Sequence, residues 1–302
     1  MTYFLFVLLL SFSPSHYITI TNDGETVMEI KKEQLSDPIV GNVFIDDQKY
    51  HAILEKVKKE VMKQPINATI DDFNQIKNGE NGYELYTFEF QKQLLEAYYK
   101  NGNVRIEAPK LPKYPRVDSE LLDYIRQQHL GQYITYYNSR NKERSHNIHL
   151  ASEAIDNHVV FPGETFSFNG VVGKRTKEKG YLPAPIIVKG ELSEGIGGGI
   201  CQVSSTLFNA VDKAGLQIIE RYSHSKQVPY VPPGRDATVS WYGPDFTFQN
   251  LYQQPILIRA KAINGSMIVN IYSSLEVKPK LRNIPDAEDS LPKEIMIDPG
   301  TS

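Results

Sequence analysis

The sequence predicts an α+β protein: a small α+β N-terminal domain, followed by a β-rich mixed domain in which a cysteine sits at a helix N-terminus. Three observations carry that prediction. Alternating apolar and polar residues close on an Asp-Gly turn near the start of the chain, and two segments of helical periodicity follow. From Val159 onward, short apolar runs are separated by Pro-Gly, Asn-Gly and Gly-Pro signals. One clear helix interrupts them, directly after Gly197, Gly198 and Gly199.

In the first part, YITITNDGETVMEI (Tyr17 to Ile30) alternates around Asn22-Asp23-Gly24. The Asp-Gly pair supplies the positive φ angles of a tight hairpin, so two paired strands are expected. Tyr50 to Met62 places Ile53, Leu54, Val57 and Val61 at helical spacing, and Glu89 to Tyr99 does the same with Phe90, Leu94, Leu95 and Tyr98. The segment APKLPKYPRVDSE (Ala108 to Glu120) holds three prolines. Proline fixes φ and lacks an N–H, so this segment predicts a stiff extended linker. Residues 17–107 are thereby set off as one domain and 108–118 as the linker.

The second domain is read as 119–274. Ser119 is placed to cap a helix at Leu121 to Gln128, and Asn147 to Asn157 reads as another helix with Ile148, Ala151, Ala154 and Ile155 on one face. Strands are expected in VVFPGETFSFN, PAPIIVKG, DATVSWYGPDFTF and QPILIRAKAINGSMIVNIYS. The aromatic residues Trp241, Tyr242, Phe246 and Phe248 fall at strand spacing and are read as core. Residues 275–302 turn polar and proline-dotted and are read as a fraying tail.

The N-terminal stretch 1–16 carries an apolar run from Tyr3 to Leu10. At about eight residues it suits a signal-peptide core or anchor and falls short of the roughly 20 needed to span a bilayer. Export and association with a membrane surface are the expectations, although no Lys or Arg precedes Lys31. A buried first strand is the alternative. The net charge of −3, from 33 basic and 36 acidic side chains, offers no electrostatic case for nucleic acid.

Cys201 is the one cysteine of the 302-residue chain, so no internal disulfide is available to it. It falls in the first turn of the helix that carries Val203, Leu207 and Val211, with Gly215 placed as its stop. There the helix dipole and unpaired N–H groups favour a thiolate. The same N–H groups, with those of Gly197, Gly198 and Gly199, suit a developing oxyanion. His224, in ERYSHSKQVPY, is the candidate base, and Asp236, in PPGRDATVS, the candidate orienter. Arg235 is read as a clamp for a substrate carboxylate, and Gln202 and Ser204, flanking the nucleophile, as substrate contacts. The bland alternatives are a packed cysteine, glycines that let helix and sheet approach, and a histidine and aspartate that cap turns.

Neither metal nor cofactor is expected. His146, His149 and His158 read as surface polar residues rather than ligands, and GKRT (Gly173 to Thr176) lacks the ending of a phosphate loop.

The stretches NIHLASEAIDNHVVFPGETFSFNGVVGKRTKEKGYLPAPIIVKGE, GGGICQVSSTLFNAVDKAGLQIIERYSHSKQVPYVPPGRDATV and YGPDFTFQNLYQQPILIRA resemble the VanW domain family of bacterial cell-envelope proteins. The resemblance runs from about Asn138 to Ser274. QPINATIDDF and the region around VRIEAPKLPKYP look like a small peptidoglycan-binding-like domain that accompanies such domains. The resemblance implies a secreted or envelope-associated protein acting on peptidoglycan stem peptides. Some family members are L,D-transpeptidases, which implies the nucleophile role for Cys201. It does not supply a base, and Ile200 precedes Cys201 where the better-known L,D-transpeptidases have Ser/Thr-His-Gly before the cysteine.

The leading expectation is therefore a cysteine L,D-transpeptidase that cross-links stem-peptide diamino acids. A non-catalytic wall-binding or accessory protein linked to glycopeptide response and a cysteine peptidoglycan hydrolase are the other readings.

Overall fold

A computed structural model of the chain describes residues 15–37, 39, 41–188 and 191–291. The chain divides into two compact units, residues 1–68 with 78–116, and residues 69–77 with 117–302. The mixture of helices and small sheets is α+β. Most of the apolar N-terminal stretch and residues 292–302 lie outside the described residues.

In the first unit β1 (Tyr17–Asn22) pairs antiparallel with β2 (Glu25–Lys31). Asp23 and Gly24 take φ of 52° and 82°, the two left-handed positions that an Asp-Gly hairpin requires. A single helical turn α1 (Lys32–Leu35) leads into the short pair β3 (Ser36–Asp37) and β4 (Gly41–Ile45). Helix α2 (Asp47–Val61) starts where the Asp46 carboxylate accepts from the Lys49 N–H at 3.0 Å, satisfying one orphan donor of the first turn. Its apolar stripe, Ile53, Leu54, Val57 and Val61, is buried as the spacing predicts.

The second unit takes up the chain briefly with β5 (Thr69–Ile70) and β6 (Ile76–Lys77). The first resumes with β7 (Gly82–Leu85), α3 (Thr87–Tyr99), β8 (Val104–Glu107) and β9 (Lys110–Lys113). Strand β8 pairs parallel with β1, and Ile18, Ile20, Val57, Phe90, Leu94 and Ile106 share one core. On α3, Leu95 is exposed and Ala97 buried, because the buried arc runs through Phe90, Leu94, Ala97 and Tyr98. The proline-rich segment is extended, but it is not a free linker. Lys110–Lys113 pairs with β7, an edge position that tolerates Pro112.

In the second unit α4 (Ser119–Ile125) is capped by Asp118, whose carboxylate accepts from Leu121 N–H at 2.7 Å. Ser119 is thus the first helical residue rather than the cap, because Asp118 offers the stronger acceptor one position earlier. The helix ends before Gln128, which opens β10 (Gln128–Tyr136). Helix α5 (Lys142–Ile155) starts earlier than its apolar residues suggest, at an Asn141 cap. Its buried face includes Asn147 and Ser152, while Ala154 is exposed.

There follow β11 (His158–Val160), β12 (Thr165–Ser167), α6 (Phe168–Val172), the hairpin of β13 (Pro183–Val188) and β14 (Glu191–Ile196), and α7 (Ile200–Lys213). The chain closes its strands with β15 (Gln217–Glu220), β16 (Thr247–Gln249), β17 (Ile256–Ile263) and β18 (Ser266–Ser273).

Strands β10, β18, β17 and β11 form an antiparallel sheet in that order, and β12, β16 and β15 form a second. The long strands alternate buried and open residues, as in Met267, Val269 and Ile271 of β18. Helix α7 packs on β10 and β18 and beside α5, so it is enclosed from Gln202 to Asp212. Val203, Leu207 and Val211 are fully buried. Gly215, at φ 78°, follows its last turn as a left-handed stop.

Three expectations are corrected here. DATVSW is not a strand, and of the stretch from Asp236 to Phe248 only Thr247 and Phe248 pair, within β16. The aromatic cluster divides: Phe246 and Phe248 are core, whereas Trp241 and Tyr242 are 42% and 83% exposed. The tail does not fray up to residue 291. Val277 is buried, the Tyr133 hydroxyl donates to Pro285 O at 3.1 Å, and Arg282 Nη1 bonds Asp212 at 2.6 Å.

Residues 69–77 join the second unit through polar ties. The Asn157 side chain accepts from Ile70 N–H at 2.7 Å and donates to Ile70 O at 3.0 Å. Arg259 adds a bond to the same carbonyl and pairs with Asp156.

Candidate active site

The site is assembled around the start of α7. Gly199 is its N-cap at φ 107°, and Gly197 has φ 86°, backbone conformations that side chains rarely adopt. Gly198 is required for a different reason, since a Cβ there would lie 2.6 Å from Ala184 O and 2.7 Å from Pro185 O. The three glycines thus let the loop turn sharply while pressed on β13. Asn147, buried on α5, holds the loop in place: its side-chain amide donates to Gly198 O at 3.0 Å and to Leu182 O at 2.9 Å and accepts from Leu182 N–H. Ile200 N–H and Gln202 N–H are taken by Gly197 O and Gly199 O.

Past the C-terminus of α7 the chain returns through β15 and then runs without regular structure from Arg221 to Asp245. A buried irregular segment must find side-chain partners for its backbone groups. The polar residues of α7 supply them. Ser205 Oγ accepts from Ala237 N–H at 2.9 Å, Ser204 Oγ donates to Ala237 O, and Asn209 donates to Arg235 O at 2.8 Å. These ties lay residues 235–239 along α7 and carry Asp236, Thr238 and Val239 to its N-terminal end.

The result brings Cys201, His224 and Asp236 together. Asp236 Oδ2 accepts from both His224 Nδ1 and His224 N–H, at 2.7 and 2.6 Å, fixing both the ring and the backbone that carries it. Cys201 is the imidazole's other neighbour, close enough that each shifts the titration of the other. The Cys201 sulfur also lies 3.7 Å from Thr238 Oγ1 and 3.6 Å from Val239 O. The His224 and Asp236 side chains are 7% and 9% exposed, while Cys201 is half-buried.

Electrostatics follow from this geometry. Burial alone pushes the Cys201 thiol up, but the hydrogen bond and charge of His224 outweigh it, and the thiol falls below its ordinary value. Burial alone would likewise depress the imidazole; the bonds to Asp236 and Cys201 reverse that and raise it to about 9. Asp236 is held below the usual carboxylate range, its burial offset by the imidazole and backbone donors. All three shifts favour the same arrangement, a thiolate beside an imidazolium with a carboxylate behind.

The remaining sequence-predicted contacts do not line this site. Arg235 is committed to Asn209 Oδ1 and Asp212 Oδ2, both at 2.7 Å, and stacks over Phe208, which makes it a brace on α7 rather than a substrate clamp. Gln202 is fully buried between Thr135, Tyr136 O and Arg144. Ser204 is buried against Ala237. Helical geometry turns Gln202 into the core, whereas Ser204, on the face of Cys201 one turn on, is covered by the returning chain at Ala237.

His146 bonds Gly180 O, His149 pairs with Glu153, and His158 packs edge-on to Phe166. No metal-ligating cluster occurs among the described residues. No helix among them is long and apolar enough to cross a membrane.

Sequence reasoning passed over Asn147, Thr238 and Arg175. Asn147 has a legible signal, a polar residue at an apolar position beside Ile148. Arg175 stands in GKRT, whose sequence offers only an incomplete phosphate loop. Yet the Cys201 thiolate is the strongest charged neighbour of its guanidinium, and its Cβ and Cγ pack against Gly197.

Fold and site together define an α+β protein with a Cys–His–Asp constellation at the start of a buried helix. A family model described as VanW like protein matches residues 143–272, within which all of α7, His224 and Asp236 lie. The chain is 56% identical over 291 residues to the uncharacterized protein YoaR of Bacillus subtilis (strain 168), covering 96% of each. It is 35% identical over 99 residues to the Vancomycin B-type resistance protein VanW of Enterococcus faecalis (strain ATCC 700802 / V583), covering 31% of this chain and 36% of that protein. No solved structure matches the chain significantly. The chain belongs to the VanW-like family, as the residues around Cys201 suggested.

Proposed function

We propose that this protein is a cell-wall cysteine acyltransferase, an L,D-transpeptidase acting on peptidoglycan stem peptides. The observation that carries the reading is the Asp236–His224–Cys201 relay, with a 2.7 Å bond holding the imidazole against the carboxylate and the thiol on its other side. A cysteine kept only for packing has no use for a buried imidazole and carboxylate in this order. Family membership supports the cell-wall setting, since a relative is named for vancomycin resistance.

In the reaction the Cys201 thiolate attacks the carbonyl of the third stem residue, a diamino acid, forming a C–S bond. The amide nitrogen of the terminal D-residue leaves with the proton of the His224 imidazolium. The now neutral imidazole takes a proton from the side-chain amine of a neighbouring stem as that amine attacks the thioester. An amide forms, the C–S bond breaks, and the thiolate and imidazolium return. Asp236 keeps Nδ1 protonated so that the other ring nitrogen faces the reacting atoms. With the Ile200 and Gln202 amides taken by the glycine loop, the developing oxyanion is assigned to the Cys201 N–H at the start of α7. The first unit is assigned to wall binding, and the protein to the extracytoplasmic face of the membrane, with its N-terminal apolar stretch as signal or anchor.

Incubation with disaccharide-tetrapeptide muropeptides, followed by mass spectrometry, tests this. A dimer of tetrapeptide and tripeptide stems joined between the diamino acids is expected, and Cys201→Ala is expected to abolish it. Trimming without dimers would reassign the site to hydrolysis, with water as acceptor. No product from folded protein would leave a binding or accessory protein in which the glycines serve only the close packing on β13.

A further inference from the structure

We propose that Arg175 is the anion anchor of the Cys201 site, receiving a substrate carboxylate next to the scissile carbonyl; the inference rests on the acyl-transfer reading above. Arg175 lies between α6 and the 3-10 turn Lys177–Lys179, in a stretch with no other evident task. Its Nη1 donates to Asn169 Oδ1 at 2.7 Å, a neutral acceptor, and its guanidinium sits 5.8 Å from the Phe168 ring centroid. Its Nη2 is buried and has no hydrogen-bond partner among the described residues. The nearest carboxylate in its field, Asp245, is already occupied by the Ser167 hydroxyl at 2.6 Å and by the N–H groups of Asn169 and Phe246 at 2.9 and 2.8 Å.

A sheltered guanidinium nitrogen left without an acceptor costs free energy that a structural role would have removed with one nearby carboxylate. Here the stem packs on Gly197, so the charge is fixed beside the glycine loop and the thiolate. Arginine is the side chain suited to a planar, two-oxygen acceptor. A peptide ending one residue past the scissile bond brings such a group with it, the carboxylate of its terminal residue. A small turn of the half-buried guanidinium presents the spare nitrogen to it. The anchor would favour donors with a free terminal carboxylate over amidated ones.

The test compares alkylation of Cys201 by iodoacetate, which carries a carboxylate, and by neutral iodoacetamide. In each the thiolate displaces iodide and forms an S–C bond, so both rates depend equally on thiolate content and their ratio reports the anion site. In the full-length protein, at a pH where the thiolate is fully formed, the iodoacetate-to-iodoacetamide ratio is expected to fall about tenfold on Arg175→Gln, the worth of one charge-assisted contact. Arg175→Lys is expected to keep an intermediate ratio and guards against a variant that fails to fold. An unchanged ratio in folded Arg175→Gln, even with both rates lowered together, would overturn the proposal while leaving the nucleophile reading intact. A wild-type thiol silent to both reagents would overturn that reading, and this inference with it.

Discussion

Replacing His224 by glutamine is expected to raise the Cys201 thiol and so lower its thiolate fraction at neutral pH. The imidazole supplies the largest influences lowering the thiol, and what remains without it is mostly burial, which raises it. In the wild type the inflection in the rate of alkylation by iodoacetamide is expected below the free-thiol value of 9.0. In His224→Gln the inflection moves above that value, and at neutral pH the rate falls by more than about tenfold, because each unit of pKa changes the thiolate fraction tenfold. Turnover on wall peptides should fall further, by roughly 10²–10⁴-fold, since the same ring is the proton shuttle. A pH profile of alkylation unaltered by the substitution would mean that the imidazole does not govern the thiol.

Asp236→Asn is expected to destabilise the fold as well as the reaction. The carboxylate accepts two bonds from His224 in a nearly dry site, and breaking a buried ion pair by removing one partner costs about 3 kcal/mol. The pH dependence carries a sign that a lost packing contact would not. It is cleanest in a Cys201→Ala background, where no thiol titrates. The part of the imidazole's rise that Asp236 supplies persists there, so its contribution is full below the unfolded value of 6.5 and disappears as pH rises through the folded value, now without the share that the thiol supplied. The carboxylate is lowered, so its contribution is full above 3.8 and disappears as pH falls through its folded value. The gap in unfolding free energy between Cys201→Ala and Cys201→Ala/Asp236→Asn should therefore be widest between those unfolded values and close on both sides. Denaturant titrations across pH read this directly, and a gap independent of pH would assign Asp236 a purely steric role.

Much of this architecture is legible in the residues because each local signal has one physical solution. Asp23-Gly24 admits a hairpin, the Ile53 to Val61 stripe a helix packed on one side, and Val203, Leu207 and Val211 a helix driven into a core. Cys201 beside three glycines pointed to the helix start, and His224 and Asp236 were identifiable as polar residues in a chain returning past it.

What stayed hidden was settled by long-range polar ties rather than by periodicity. DATVSW looks like a strand, yet Ser204, Ser205 and Asn209 satisfy the backbone from Arg235 to Ala237 and make a sheet partner unnecessary there. Arg235 looked free to clamp a substrate because Asn209 and Asp212, which hold it, are distant in sequence. Gln202 and Ser204 look available because they stand close to the nucleophile in the chain, but Gln202 turns inward to Thr135 and Tyr136, and Ser204, on the face of Cys201 one turn on, is covered by Ala237. Arg175 gave no signal because its meaning lies in a missing partner, and that shows only when the neighbours are in place.

The central claim is that Cys201 carries the acyl group, and the most direct measurement is the intact mass of the protein mixed with a tetrapeptide donor and no acceptor. The account predicts a mass increase equal to the donor less its whole terminal amino acid, mapped to the peptide containing Cys201 and absent from Cys201→Ala. An unmodified protein whose thiol nonetheless reacts rapidly with iodoacetamide would contradict it.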